Sequence, residues 1–170
     1  VHRTAARLMS RGLRNGKAAG RLAVDTLDVT GLVMTASLNS AITDSSPGMA
    51  AYATGQKSNN NQQGVFPDNT ADPFDNPRIE YLGELLRRTR GRGFNVGIVT
   101  TADVTDSTPA ANAVHTSDRF AGAGIADRFF DERQANGVSV LLGGGARYFM
   151  PKDAGGERGD GRRLAEEFAA

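Results

Sequence analysis

Cysteine is absent from this chain of 170 residues, and so is tryptophan. Without cysteine there are no disulfides and no thiolate metal sites, although that absence fixes no compartment. Histidine is scarce: His2 lies near the start and His115 stands alone in the interior. No apolar run approaches the roughly 20 residues that would span a bilayer. The formal net charge is only +1, which leaves no electrostatic footprint for nucleic acid or an anionic membrane. A phosphate-binding GxxxxGK loop is also missing.

What is present is enough sequence for one domain with a core. The chain opens on Val1 in what reads as helix interior and stops in another helical stretch, 163–170. A piece of a longer protein is the expectation, and a missing signal peptide then says nothing about export. The central stretch runs from Thr43 to Lys57. Pro47 suits a first helical turn, Gly48 to Thr54 can continue the helix, and Gly55 can end it. Ser45 would then stand at a helix N-terminus, where unpaired N–H groups and the positive dipole end favour phosphate or sulfate. The plain alternative is that Asp44 or Ser45 is only an N-cap.

Around this stretch, residues 4 to 13 place Ala5, Leu8, Met9 and Leu13 on one helical face, broken by Gly16 and Gly20. Leu27 to Leu38 is expected to be a strand weakened at Gly31. Ser58 to Gly64 reads as a polar surface loop. The Asp-rich segment 68–76 reads as solvated loop; it lacks the glycine and terminal Glu spacing of an EF-hand. Asn76-Pro77 is expected to open a helix with Ile79, Leu82, Leu85 and Leu86 as its stripe, stopped at Gly91 or Gly93. A buried strand from Phe94 to Thr100 follows, so helix, glycine stop and strand make half of a βαβ unit in an α/β fold.

Ligands in such folds gather beyond the carboxyl ends of strands, which points to the loop after Thr100. There Pro109 and its alanines suggest a short helix capped by Ser107 or Thr108. Asp106 and Thr108 stand two apart and can turn oxygens toward one hard cation. Arg119 can fork N–H groups onto phosphate. An Asx-capped turn with a surface arginine is the competing reading. His115 is expected to be structural, or to lie behind the site. Gly137 to Gly145 reads as another buried strand running into a glycine turn, and Pro151 to Arg163 as a charged loop.

Taken in order, these motifs resemble the alkaline phosphatase family. Asp44-Ser45 with Ala53-Thr54-Gly55-Gln56-Lys57 is similar to the family's nucleophile segment. Ile98-Val99-Thr100-Thr101, followed by Asp106-Ser107-Thr108-Pro109-Ala110-Ala111, is similar to its magnesium segment. His115 with Asp118-Arg119, and Leu141 to Phe149, complete a resemblance over nearly the whole chain. It implies a partial three-layer sandwich with a mostly parallel central sheet flanked by helices, residues 1–170 being an incomplete single catalytic domain. It also implies hydrolysis of phosphomonoesters through a phosphoserine at Ser45. Asp44 would position the phosphate-clamping Arg119, and Ser45, Asp106 and Thr108 would contact metal. Two zinc ions and one magnesium, a homodimer, and a periplasmic or secreted location are implied in the same way. The remaining metal ligands would lie outside residues 1–170, and a fragment without them would be inactive by itself. Asp106 follows the bacterial pattern, since animal members carry histidine there.

Two alternatives compete. A sulfatase or phosphodiesterase of the same superfamily is echoed by Ser45-Ser46-Pro47, but Met49 stands where the sulfatase signature needs arginine. A non-catalytic, calcium-stabilised module would be built on the Asp-rich loop.

Overall fold

The computed structural model describes residues 2–169. Residue 170, expected to close the last helix, lies outside the described residues. The chain divides into two compact units, Val1–Met34 and Thr35–Ala170.

In the first unit, helix α1 (His2–Arg11) ends slightly before the expected boundary. Arg7 Nε donates to the Gly20 carbonyl at 2.9 Å, tying the following segment back to the helix. Asn15-Gly16 then turns the chain between two-residue strands β1 (Leu13–Arg14) and β2 (Lys17–Ala18), paired antiparallel. Both turn residues have positive φ, 53° and 73°, the primed-turn geometry that Asn-Gly adopts readily. Gly16, expected only to break the helix, instead completes this turn. A 3₁₀ turn occupies Ala23–Thr26, where the Asp25 carboxylate accepts from the Leu22 N–H.

The strand expected over Leu27 to Leu38 is not formed. A strand exists only through a hydrogen-bonded neighbour. Among the described residues this stretch has no ladder partner, and its side chains from Leu27 to Thr35 are exposed, Leu32 entirely so, while Ser37 is buried.

The second unit holds helices α2 (Ser45–Thr54), α3 (Leu82–Arg90), α4 (Ser107–Ala110), α5 (Gly122–Asp131), α6 (Arg133–Asn136) and α7 (Leu164–Ala169). Strands β3 (Val96–Asp103) and β4 (Val138–Gly144) pair in parallel, with Ile98 opposite Leu141 and register shifts on either side of their central run. After β4, 3₁₀ turns occupy Ala146–Phe149 and Lys152–Ala154. The expected α/β architecture, a parallel sheet with helices against it, is what forms.

Ile98 and Val138 bury their side chains against Val114, Ile125 and Phe129, and a second cluster joins Val104, Ala126, Phe149 and Leu164. The strands are not buried on both faces as their apolar runs imply: Val99 is 73% exposed and Leu142 58%. This sheet has only two strands among the described residues, so one face and the outer edges are uncovered.

The helix expected from Asn76-Pro77 begins five residues later, at Leu82. Residues 77–79 are instead extended beside 64–66: Phe66 N–H donates to the Pro77 carbonyl and Ile79 N–H to that of Gly64. Ile79 and Tyr81 are buried while Arg78 and Glu80 face out, a two-residue alternation that was legible in the sequence. The polar stretch Ser58 to Gly64 is not a surface loop either. Ser58 and Gln63 are fully buried, Ser58 Oγ donating to the Val65 carbonyl at 2.7 Å.

Candidate active site

Three segments converge beyond the carboxyl end of β3. The first is the N-terminus of α2. Asp44 is the cap, its Oδ1 accepting from the Ser46 N–H at 2.8 Å. Pro47 is the third helical residue, where no N–H is needed, and Gly55 closes the helix with φ 73°. Ser46, Pro47 and Ala50 form the buried face, which leaves Ser45 exposed at the helix start.

The second segment is α4, which packs against α2. Its cap is neither Ser107 nor Thr108 but Asp106, whose Oδ1 accepts from the Ser107 N–H at 2.7 Å. Asp106 thus caps the helix through its first N–H, and Ser107 itself is buried. Thr108 stays exposed on the same turn.

The third segment carries Arg119. Its Nη1 lies 3.7 Å from Asp44 Oδ1 and its Nη2 lies 3.5 Å from Asp106 Oδ1. These are ion-pair distances, longer than well-formed charge-assisted hydrogen bonds. Among the described residues the Arg119 side chain makes no hydrogen bond, and its guanidinium sits 5.4 Å from the Phe120 ring. A cavity of ≈ 280 Å³ opens beside it, lined also by Asp103, Arg147 and Tyr148. A larger one of ≈ 500 Å³ follows β4 and is mostly apolar, away from these charges.

Of the residues singled out in the sequence, Asp44 and Asp106 both face Arg119, while Ser45 and Thr108 follow those carboxylates along the chain at exposed positions of α2 and α4. The segment that seats Asp44 and Arg119 is one expected to be a surface loop. Asn61, with φ 78°, donates its N–H to Asp44 Oδ2 at 2.7 Å and accepts from the Arg119 N–H at 3.2 Å. Asn60 adds an amide oxygen on the Asp44 N–H. The available signal was that Ser58 to Gly64 is polar yet wholly uncharged. Amide side chains can hydrogen-bond to backbone in the interior at far lower cost than ions.

His115 is structural, as expected. It is 2% exposed, its Nδ1 bonded to the Gly64 carbonyl and its Nε2 3.1 Å from both Glu84 oxygens. Burial pushes the Glu84 carboxyl up. The His115 hydrogen bond and charge, the Tyr81 N–H and the Arg78 charge outweigh that and hold it below the ordinary carboxylate value. The Tyr81 phenol is buried beside Glu84, pushed well above its usual range, and donates to the Val114 carbonyl.

The Asp-rich loop uses its carboxylates locally. Thr70 Oγ1 bonds to both Asp68 and Asp75, and Asp72 accepts from the Phe74 N–H. Among the described residues no group of three or more Asp, Glu or His side chains is placed to hold a metal ion.

Fold and cluster together define an α/β protein whose polar groups gather past the end of a parallel strand, against a helix N-terminus. Residues 2–170 match the family model for alkaline phosphatase. The chain belongs to the alkaline phosphatase family. It is 38% identical over 165 residues to streptomycin-6-phosphate phosphatase of Streptomyces griseus, a match covering 86% of this chain and 34% of that protein. Among solved structures it is similar to the alkaline phosphatase of Thermus thermophilus, with TM-score 0.71 and 30% identity over 99% of this chain and 31% of that one. A mutant TAB5 alkaline phosphatase with Mg bound is also similar, at TM-score 0.65 and 25% identity, covering 82% and 34%. The chain therefore spans about a third of the length of these relatives. Its sheet and helices correspond to part of the alkaline phosphatase fold.

Proposed function

We propose that this chain supplies the nucleophile and the phosphate clamp of a phosphomonoesterase, with Ser45 attacking phosphorus and Arg119 gripping the phosphoryl oxygens. The observation that carries the reading is Arg119 itself. Its charge is balanced by Asp44 and Asp106 at 3.5–3.7 Å, yet its N–H groups are not consumed by hydrogen bonds among the described residues. A guanidinium held in place with its fork open suits a tetrahedral dianion.

Ser45 Oγ forms the bond to phosphorus as the ester P–O bond breaks, and the proton lost by the hydroxyl ends on the departing alcohol. Water then displaces Ser45, which regains a proton, and inorganic phosphate leaves. Arg119 and the N-terminus of α2 hold the non-bridging oxygens through both steps. Asp44 serves twice, capping α2 so that Ser45 is fixed at its tip and keeping Arg119 beside it. The donors at the start of α4 fit a hard cation by type: one carboxylate, the cap Asp106, and one hydroxyl, Thr108. These two would hold the magnesium, with Ser45 contacting one of two zinc ions. Such cations, when bound, lower the pKa of a hydroxyl and offset charge on a leaving oxygen. By the family resemblance the whole protein is a periplasmic or secreted homodimer acting on small phosphomonoesters.

Ser45→Ala in the full-length protein tests the reading. Aryl phosphate hydrolysis should fall by about 10⁴-fold or more, the scale on which removal of a covalent nucleophile acts. Wild-type turnover by that variant would end the assignment, and preference for aryl sulfate over aryl phosphate would shift it to a sulfatase.

A further inference from the structure

We propose that His115 and Glu84 form a positioning pair for Arg119, acting through the backbone of residues 61–64. The inference rests on the reading of Arg119 as the phosphate clamp. It concerns a pair that lies behind the site and touches neither Ser45 nor the cavity beside Arg119.

The geometry starts at the imidazole. A carbonyl oxygen only accepts, so Nδ1 donates to Gly64, at 2.7 Å. Glu84 already accepts the Tyr81 N–H at Oε2 and, held ionised, accepts from Nε2 as well. The two directional bonds leave the ring from different nitrogens, and the Tyr81 ring lies on it with centroids 4.5 Å apart. Nearby arginines do not compete for Glu84: Arg78 is bidentate on Glu132 and Arg88 on Glu80. The space around Gly64 is set by the same group. Its φ is +58°, and a Cβ there would stand 2.3 Å from the Tyr81 hydroxyl, so the loop can approach His115 only as glycine.

From this pin the connection to the site is short and runs through backbone as far as Asn61. Gln63 and Thr116 exchange two hydrogen bonds, 2.8 and 3.1 Å, directly beside Gly64 and His115. Two residues earlier Asn61 binds Asp44 through its N–H and the Arg119 N–H through its carbonyl. Residues 61–64 therefore run between His115 at one end and both partners of the Asp44–Arg119 contact at the other. If the pin is lost, this segment can slide along residues 115–119. The guanidinium then shifts relative to the tip of α2, where misplacement on the ångström scale is costly.

The test is a double-mutant cycle on the full-length protein, reading the dissociation constant for inorganic phosphate. Arg119→Ala sets the baseline. His115→Gln should weaken phosphate binding about tenfold in the wild-type background, within the range of couplings between residues linked by one network. In the Arg119→Ala background the same substitution should change it less than about twofold, because the group it acts through is gone. An equal loss in both backgrounds, or no loss in the wild type, overturns the proposal, since general loosening would not depend on Arg119. Should His115→Gln fail to fold, Glu84→Gln is judged by the same two comparisons. If Arg119→Ala itself leaves phosphate affinity unchanged, the clamp reading falls and this inference with it; if only the His115 arm is silent, the clamp stands.

Discussion

Arg119 and Arg158 are the same residue put to opposite uses. Arg158 is 2% exposed and saturated: Nε and Nη2 bond to Asp160, Nη2 also to Asp127, and Nη1 to the carbonyls of Ala123 and Tyr148. With Arg162, which reaches Asp127, Asp131 and Glu167, it ties the segment after β4 onto α5. Arg119 is 21% exposed, faces two carboxylates beyond hydrogen-bond reach, and rests near one aromatic ring. An arginine with every donor spent is a structural tie, because removing it takes several hydrogen bonds at once from the segments it joins. An arginine whose charge is balanced but whose donors are open keeps its hydrogen bonds for something not in the chain. The 17 arginines of this sequence cannot be sorted by composition, only by how their N–H groups are occupied.

Exchanging the consequences is the most direct way to break this contrast. Arg119→Ala should lower kcat/KM for aryl phosphate by about 100- to 1,000-fold, the usual loss when a positioned electrostatic donor is removed. Its melting temperature should stay within about 2 °C of wild type, since its two ion pairs are long and partly solvated and it makes no hydrogen bond among the described residues. Arg158→Ala should do the reverse. Asp127 keeps Arg162, so the loss is that of the hydrogen bonds to the Ala123 and Tyr148 carbonyls and to Asp160, about 2 kcal/mol, read as a clear fall in Tm of the full-length protein. The surviving folded fraction should retain its KM. If Arg158→Ala raises KM while Arg119→Ala lowers Tm, the two arginines have been assigned the wrong way round.

Much of the site was legible because its cues are local. Asp44 before Ser45, Pro47 and Gly55 predict α2 from capping chemistry alone, and Pro109 with its alanines predicts α4 to within a cap. The alternation of helix, glycine and apolar run was enough to place β3 and β4. What failed depends on partners distant in sequence. Leu27 to Leu38 has strand composition but no strand beside it among the described residues. Arg158 sits in a stretch that reads as a charged loop, and partners distant in sequence, Asp127 and the Ala123 carbonyl among them, make it interior. Asn61 is hidden in a polar run whose role comes from Asp44 and Arg119, neither of which is its neighbour.

The smallest effect extends the contrast to the acids. Glu84 is a saturated group like Arg158, and its carboxyl titrates below the ordinary value because His115, the Tyr81 N–H and Arg78 together outweigh burial. A depressed folded-state pKa contributes stability that is present above the unfolded value, near 4.5, and is lost as pH falls through the folded one. Tm of the wild type should therefore drop along that acid limb. Glu84→Gln should melt lower than wild type at pH 7, by the loss of about 1 kcal/mol expected for one charge-assisted hydrogen bond. It should then converge on the wild-type curve in acid, where both side chains are neutral. Glu80 and Glu167 are also held low by arginine, but both lie in solvent, where such pairs contribute little. Glu80→Gln should accordingly leave the acid limb where it is. Parallel curves for wild type and Glu84→Gln would mean that the carboxylate is not tied to His115 in solution. The pin behind Arg119 would then have to be sought in the Tyr81 and Gly64 packing alone.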